Sequence, residues 1–187
     1  MALREVASKQ QLQWAFLRWA VVTVPFVVLC GFSAARLAPS GSDNLWYAAI
    51  IKPSVTPPDW LFPVAWTLIY ILLGLSLAVI LHARGSRFRG AAIALFLVQL
   101  AVNLTWSPVF FGMHQVSWAL GIVAAMFVLT LAMTFLFARI RQGAALMLVP
   151  YLAWLLFAGY LNYQIMVLNP GAETLAPSSA NAQIIKL

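Results

Sequence analysis

Acidic side chains, cysteine and histidine are scarce in this 187-residue chain. No carboxylate lies in the middle of an apolar run, which excludes paired-carboxylate catalysis and a buried acidic cation site. The single cysteine, Cys30, excludes an intramolecular disulfide and a thiolate metal cluster, and the two histidines, His82 and His114, are isolated. We therefore expect no metal site and no conventional catalytic constellation. The four carboxylates are Glu5, Asp43, Asp59 and Glu173.

Apolar residues, in contrast, dominate the composition. The chain is 64% hydrophobic and 8% charged, and its mean hydropathy is +0.93. Soluble domains are about 45–50% apolar and about 25% charged, so this chain needs a lipid bilayer as its solvent. The net charge of +7 is typical of membrane proteins with basic cytoplasmic loops. No basic run is interleaved with base-stacking aromatics, so nucleic acid is not an expected partner.

Five apolar segments approach the length, about 20 residues, that spans a bilayer as a helix. The links between them are short except for the first, so we predict an all-α, integral membrane five-transmembrane-helix bundle in one domain. A polar N-terminal extension over residues 1–13 and a mobile tail over residues 170–187 flank it. The predicted spans cover residues 19–35, 60–81, 90–111, 116–138 and 144–168.

The distribution of basic residues predicts the orientation of the bundle. Arginines concentrate in the loops on the same side as the N-terminus, and the positive-inside rule then places the N-terminus in the cytoplasm. The first segment has a second interpretation that stays open. Its basic start, apolar stretch and Ser33-Ala34-Ala35 also fit a cleavable signal peptide.

Polar and large aromatic side chains gather at one depth, in the half of the bundle away from the N-terminus. Polar groups in a bilayer are costly and turn inward, so these rows predict a cavity lined by the second, third and fifth spans. The proline-rich loop over residues 36–58 would cover it. The rows, each at helical i, i+4, i+8 spacing, are Phe62, Trp66 and Tyr70; Gln99, Asn103 and Ser107; and Trp154, Ala158 and Asn162.

Each row has a structural alternative that stays open. Tryptophans gather at membrane interfaces in most membrane proteins. The amides of Gln99, Asn103 and Asn162 can instead hydrogen-bond between helices. A row of small residues, Gly90, Ala94 and Val98, suits close helix packing, either within the bundle or between two copies.

Three blocks of residues, in order, resemble the translocator protein / tryptophan-rich sensory protein (TspO/MBR) family, once called the peripheral benzodiazepine receptor family. The similarity runs over residues 46–169. The blocks are Trp46-Tyr47 with Lys52-Pro53, Pro57, Trp60, Phe62-Pro63, Trp66 and Tyr70; Gln99-Leu100-Ala101 with Asn103, Trp106-Ser107-Pro108 and Phe110-Phe111; and Pro150-Tyr151 with Trp154, Phe157-Ala158 and Leu161-Asn162.

The resemblance implies a membrane protein, often a homodimer, that binds protoporphyrin IX or a haem-type tetrapyrrole to sense, shuttle or sequester it, and we expect no required cofactor. The basic, tryptophan-rich composition and the incomplete sterol pattern favour a bacterial membrane, without distinguishing the inner from the outer membrane. Some relatives promote light- and oxygen-dependent porphyrin breakdown, which would make Trp66 and Trp154 participants. A scaffold or regulatory role is the third alternative. Tyr163 is followed by no Lys or Arg, unlike the sterol-recognition pattern of animal members. The expected ligand-binding residues are Trp46, Tyr47, Lys52, Trp60, Trp66, Tyr70, Asn103, Trp106, Ser107, Tyr151, Trp154, Ala158 and Asn162.

Overall fold

The computed structural model describes residues 9–175, with side chains from Trp14 onward. It is all-helical over that part of the chain, which confirms the predicted fold class, and five of its helical segments are long and apolar enough to cross a membrane. A π-helical turn, Pro108–Gly112, and two 3-10 turns, Gly41–Asp43 and Ala172–Thr174, complete the structure. The helices are α1 (Lys9–Ala35), α2 (Leu45–Ala49), α3 (Leu61–His82), α4 (Arg89–Ser107), α5 (Val116–Ala138), α6 (Gln142–Leu146) and α7 (Val149–Leu168).

Two boundaries differ from the sequence prediction at the ends of the chain. Helix α1 begins at Lys9, so residues 9–13 are helical and not part of a separate polar extension. Lys and Gln are good helix formers, and nothing in that stretch interrupts the helix. At the other end, where the sequence predicts a mobile tail, residues 170–175 include the 3-10 turn Ala172–Thr174, and Ala172 is buried. Residues 1–8 and 176–187 lie outside the described part.

Two prolines interrupt the predicted third and fifth spans. Pro108 ends the regular hydrogen bonding of α4, and the chain continues through the π-helical turn. Pro150 lies in the first turn of α7, where its missing N–H costs nothing, and the fifth span is divided into α6 and α7 just before it. The break lets α6 pack beneath α3, where the Ser76 hydroxyl donates to the Ala144 carbonyl at 2.8 Å.

Helices α1 and α3 pack so closely that two glycines are required between them. A Cβ atom at Gly74 would lie 2.6 Å from the Cα atom of Val24. A Cβ atom at Gly31 would overlap the ring of Tyr70. The Thr23 hydroxyl donates to the Gly74 carbonyl at 2.8 Å across this contact. Small residues allow such backbone approach in membrane helices, where dispersion and hydrogen bonds replace the hydrophobic effect as the driving force.

The remaining helices pack around α5, which contacts both α4 and α7. One continuous core of buried side chains runs through α1, α3, α4, α5 and α7, and Phe96, Met126 and Tyr151 are among its largest members. A second, smaller core lies where α2 meets the π-helical turn and the segment after α7. This second core holds the long loop after α1 over one end of the bundle, which we call the cavity end.

Candidate functional site

A cavity of about 750 Å³ lies at the cavity end, where α1 and α4 end and α3 begins. Its walls come from α1, α3, α4, α7 and the loop after α1, so the loop does contribute to the enclosure. The volume lies within the range of about 300–1,000 Å³ typical of small-molecule sites. Nine of the expected ligand-binding residues line it: Tyr47, Trp60, Trp66, Tyr70, Asn103, Trp106, Ser107, Ala158 and Asn162.

The aromatic walls of this cavity are held by contacts among the rings themselves. Trp106 stacks on Phe110 with ring centroids 5.1 Å apart and an angle of 12° between the planes. Trp66 tilts against Tyr70 at 5.4 Å. Each such pair contributes about 0.5–1.5 kcal/mol beyond area burial, so the wall is held in place before any ligand arrives.

Trp154 does not line the main cavity but stands directly behind it. It meets Trp66 edge to face, with centroids 6.3 Å apart and an angle of 81°. A second space of only about 20 Å³ lies between Trp154 and the main cavity, and Phe62, Trp66, Trp106 and Ala158 belong to the walls of both. Trp154 therefore contacts the cavity through Trp66 and does not face it directly.

Tyr151 lies behind the wall as well and positions Asn103 through a buried hydrogen-bond network. The Tyr151 hydroxyl accepts from the Asn103 amide at 2.6 Å and from the Gln99 amide at 2.8 Å. The Tyr70 hydroxyl in turn donates to the Asn103 carbonyl oxygen at 3.1 Å. Gln99 and Tyr151 are completely buried. Gln99 thus serves interhelical bonding, whereas Asn103 both lines the cavity and joins the network.

Asn162 combines the two roles in a similar way. Its amide donates to the Val116 carbonyl at 2.8 Å, which links α7 to the first turn of α5. Its side-chain oxygen is buried and has no donor among the described residues, although the residue belongs to the cavity wall. This oxygen has almost no accessible surface and is not open to a ligand in the cavity, so the role that the contacts show is the link between α7 and α5.

Trp46 does not line the cavity, although it is one of the expected ligand-binding residues. Only 1% of its surface is exposed. Its indole N–H donates to the Ala172 carbonyl at 2.8 Å, and its ring stacks on His114 at 4.6 Å. A buried indole N–H usually finds an acceptor. The segment after α7, which the sequence suggested was mobile, supplies that acceptor. Trp46 therefore anchors α2 to this segment.

Tyr47 and Lys52 lie together at the edge of the cavity. Tyr47 belongs to the wall, and the Lys52 ammonium lies 4.7 Å from the centroid of its ring, outside the wall itself. Burial, with a smaller contribution from the negative charge of Asp59, raises the pKa of Tyr47 above its usual value. The hydroxyl therefore stays protonated at neutral pH and is available to donate a hydrogen bond.

The loop after α1 is tied down at both of its sides. The Asn44 amide donates to the carbonyls of Pro39 and Phe111, each at 2.9 Å. Ile51 and the Asn169 side chain exchange two hydrogen bonds of 2.8 Å. The loop is thus attached to the π-helical turn after α4 and to the end of α7.

Sequence reasoning missed one whole wall of the cavity. The last turns of α1 line it, including Gly31, Phe32 and Arg36. Gly31 carries no polar or aromatic signal, and Phe32 resembles any lipid-facing residue. Phe110 and Phe111 belong to the blocks that carry the family resemblance. The sequence does not show whether apolar rings next to a proline face the cavity or the lipid.

The chemical groups around the cavity are mostly aromatic and uncharged. Over residues 9–175, no three side chains of the His, Cys, Asp or Glu types gather in one place. The residues around the cavity offer ring faces, amides and hydroxyls. Such a site can bind a flat, polarisable molecule by stacking and a few hydrogen bonds.

The fold and the cavity together define a polytopic helical membrane protein with an aromatic, ligand-sized cavity at one end. Residues 10–168 match the TspO/MBR family model. The chain is 38% identical over 141 residues to the "Tryptophan-rich protein TspO" of Chlorobaculum tepidum, covering 75% of this chain and 89% of the relative. It is 38% identical over 151 residues to the "Tryptophan-rich sensory protein" of Cereibacter sphaeroides, covering 81% and 92%.

The similarity extends to animal proteins. The chain is 34% identical over 160 residues to the human "Translocator protein", covering 79% of this chain and 93% of the relative. The chain therefore belongs to the TspO/MBR family and is an integral membrane protein whose exposed apolar helix faces contact the lipid bilayer.

Proposed function

We propose that this protein is a membrane receptor for porphyrins and related tetrapyrroles, such as protoporphyrin IX or a haem-type ring, which it senses, shuttles or sequesters. The observation that carries the proposal is the cavity of about 750 Å³ whose wall combines Trp66, Tyr70 and Trp106 with the amides of Asn103 and Asn162. A flat, polarisable macrocycle suits ring faces, and its pyrrole N–H or carboxyl groups suit the few polar atoms.

A dark titration with protoporphyrin IX, followed by quenching of tryptophan fluorescence, tests this proposal. We expect saturable one-to-one quenching. Ala158→Phe should weaken it at least tenfold, because the added ring fills part of the cavity. Ala153→Phe is the matched control, since it places the same ring on the exposed face of the same helix. Absence of saturable quenching at micromolar porphyrin would leave a scaffold or regulatory role as the remaining function.

A second candidate is light- and oxygen-dependent degradation of the bound porphyrin, with dioxygen as the oxidant. The contact between Trp66 in the wall and Trp154 behind it favours this candidate, because adjacent indoles can pass an electron to an excited porphyrin. Trp66→Phe keeps most of the stacking surface. If the protein only binds porphyrin, the variant should lose only modest affinity. If it is a photo-oxidase, porphyrin absorbance should no longer fall under illumination.

We further propose that the protein forms a homodimer through Gly90, Ala94 and Val98 on α4. All three are exposed, and a Cβ atom at Gly90 would meet nothing within 4 Å, so the row does not serve packing within the bundle. Such a row suits close backbone approach between two copies. Ala94→Phe should produce monomers in light scattering of the detergent-solubilised protein, and Ala132→Phe on the exposed face of α5 should not. A monomeric wild type rules the proposal out.

We also propose that the protein lies in a bacterial membrane with its N-terminus in the cytoplasm. The support is the excess of arginine at the end of the bundle opposite the cavity. An N-terminal tag should then be protected from protease in right-side-out vesicles, and cleavage of the tag there would contradict the orientation.

A further inference from the structure

Negative charge is confined to one end of the bundle over the part of the chain that the structure describes. The three carboxylates in that part, Asp43, Asp59 and Glu173, all belong to loops at the cavity end. The opposite end, which we call the arginine end, consists of the turn between α3 and α4 and the turn between α5 and α6. It carries no described carboxylate. Its arginines are Arg84, Arg87, Arg89, Arg139 and Arg141.

The turn between α3 and α4 is an ordered structure. Gly85 has a φ of +93°, which allows a tight reversal that other residues resist. One guanidinium nitrogen of Arg89 donates to the Leu81 carbonyl at 3.0 Å and closes the turn. The guanidinium carbon of Arg87 lies 4.6 Å from the centroid of the Phe88 ring. Arg84 and Arg87 are exposed, so their charges are available beyond the helix ends.

The turn between α5 and α6 is also ordered and also carries exposed arginines. Arg139 and Arg141 are exposed. A guanidinium nitrogen of Arg141 donates to the Ile140 carbonyl at 3.2 Å, and the described side chains offer its other nitrogens no further hydrogen bond. Ile140 itself is buried in the main core together with Ala83 at the end of α3. Both turns are therefore anchored in the same core, with their charged groups outward.

Exposed apolar surface lies directly next to these arginines. Phe135, one helical turn before Arg139, is 67% exposed, and Leu146 at the end of α6 is 68% exposed. A partner of this region must therefore carry negative charge and long apolar chains in the same molecule. A nucleic acid or a soluble anion offers only the first of these.

We propose that the arginine end binds the phosphate headgroups of anionic phospholipids, of the phosphatidylglycerol type, whose acyl chains lie along the exposed face of α5 and α6. Guanidinium groups match phosphate oxygens in geometry and in charge. Among the described residues, no carboxylate lies at this end to pair with the arginines. Basic clusters at helix ends are a recognised means of binding anionic headgroups.

The competing explanation is that the arginines only neutralise the negative ends of the α3 and α5 helix dipoles. That role needs one cation in the last turn of each helix and has no preference among lipids. Headgroup binding, in contrast, requires that anionic lipid bind better than zwitterionic lipid of the same chain length. The two explanations therefore predict different lipid selectivity.

The test uses the full-length protein in mixed micelles with added phosphatidylglycerol or phosphatidylcholine of identical chains. Bound lipid is counted by native mass spectrometry, and the unfolding midpoint is followed. We expect the protein to retain more phosphatidylglycerol than phosphatidylcholine and to unfold at a higher temperature with phosphatidylglycerol. The pairs Arg84→Gln/Arg87→Gln and Arg139→Gln/Arg141→Gln should each weaken phosphatidylglycerol binding roughly thirtyfold, because each arginine removed should cost about fivefold. Arg36→Gln, which removes one charge at the cavity end, should leave it unchanged.

Equal retention of the two lipids by the wild type would overturn the proposal, and so would an equal loss in Arg36→Gln. Inorganic phosphate at the same charge concentration should not stabilise the protein, because it has no acyl chains; equal stabilisation would identify a free-anion site instead. A salt titration of the wild type provides a readout if a variant fails to fold. The preference for phosphatidylglycerol must decline as ionic strength rises, and a salt-independent preference contradicts the proposal.

Discussion

The ring of Tyr70 on α3 occupies the space that a side chain at position 31 on α1 would fill. Gly31 thereby sets the position of Tyr70, whose hydroxyl donates to Asn103 at 3.1 Å in the wall of the cavity. A residue without a functional group thus determines where two residues of the candidate site lie. This contact also brings α1 into the cavity wall.

Gly31→Ala is expected to push the Tyr70 ring away from α1 and to break its hydrogen bond to Asn103. Overpacking of this kind costs about 1–3 kcal/mol, so the unfolding midpoint and the porphyrin affinity should both fall. The matched control is Gly121→Ala on α5, where an added methyl meets nothing within 4 Å. Replacing a helical glycine there should stabilise the protein slightly. Equal behaviour of the two variants would contradict the role of Gly31.

Tyr151→Phe removes the hydroxyl that accepts hydrogen bonds from the amides of Gln99 and Asn103. Two buried donors are then left unpaired, at a cost of about 1–2 kcal/mol each in a membrane protein. We expect a lower unfolding midpoint and a less ordered Asn103 in the cavity wall. Tyr160→Phe is the control, because that exposed hydroxyl only accepts from Gln164 within the same helix. A Tyr151→Phe protein as stable as this control would show that the network contributes nothing.

Asn169→Ala should loosen the loop that encloses the cavity. The side chain exchanges two hydrogen bonds with Ile51 in the loop, each of 2.8 Å. Without them we expect faster porphyrin association and dissociation in stopped-flow measurements, with a smaller change in the equilibrium constant. Thr174→Ala is a suitable control, since its hydroxyl bonds only to the nearby Gly171 carbonyl. Unchanged rates in Asn169→Ala would mean that the loop does not limit access.

The contact between Glu173 and Ser117 should respond to pH. The Glu173 carboxylate accepts from the Ser117 hydroxyl at 2.6 Å and from its backbone N–H at 2.8 Å. These hydrogen bonds lower the pKa of Glu173 below its usual 4.5. Because the folded-state pKa is depressed, the contribution of this contact is complete above the ordinary pKa. It is lost as pH falls through the lower folded value.

Hydrogen exchange of the Ser117 amide measures this contact directly. Protection, corrected for the intrinsic pH dependence of exchange, should hold from neutral pH down to about the ordinary pKa of a glutamate and decline below it. In Glu173→Gln the protection should be weaker and should show no such decline. A pH-dependent decline that survives in Glu173→Gln would assign the effect to another group.

Several elements were predictable because their causes are local. The apolar runs around Leu73 and Phe127 are long enough to span a bilayer whatever their neighbours are, so the helices and the fold class followed from composition. The spacing of Phe62, Trp66 and Tyr70 on one helix face is likewise a local property. The breaks near Pro108 and Pro150 were less predictable, since proline in a membrane helix either bends or divides it according to how its neighbours satisfy the backbone.

The roles of Trp46 and Tyr151 could not be predicted, because their partners lie far away in the chain. Trp46 bonds to a carbonyl 126 positions later, and Tyr151 accepts from Asn103, 48 positions earlier. The residue types indicated a site, but they did not distinguish a ring in the cavity wall from a ring one layer behind it. That distinction depends on which helix faces meet.

By itself the sequence determined that the chain lies in a lipid bilayer and how many times it spans it. It also determined at which end the arginines concentrate and at which depth the polar groups gather. These properties depend on transfer free energies and helical periodicity, which act within one segment. Only the tertiary structure decided that α1 forms a wall of the cavity, that Trp46 is an anchor and that Tyr151 supports Asn103. Close packing is the physical reason, since a single missing side chain at Gly31 determines which rings from different helices come into contact.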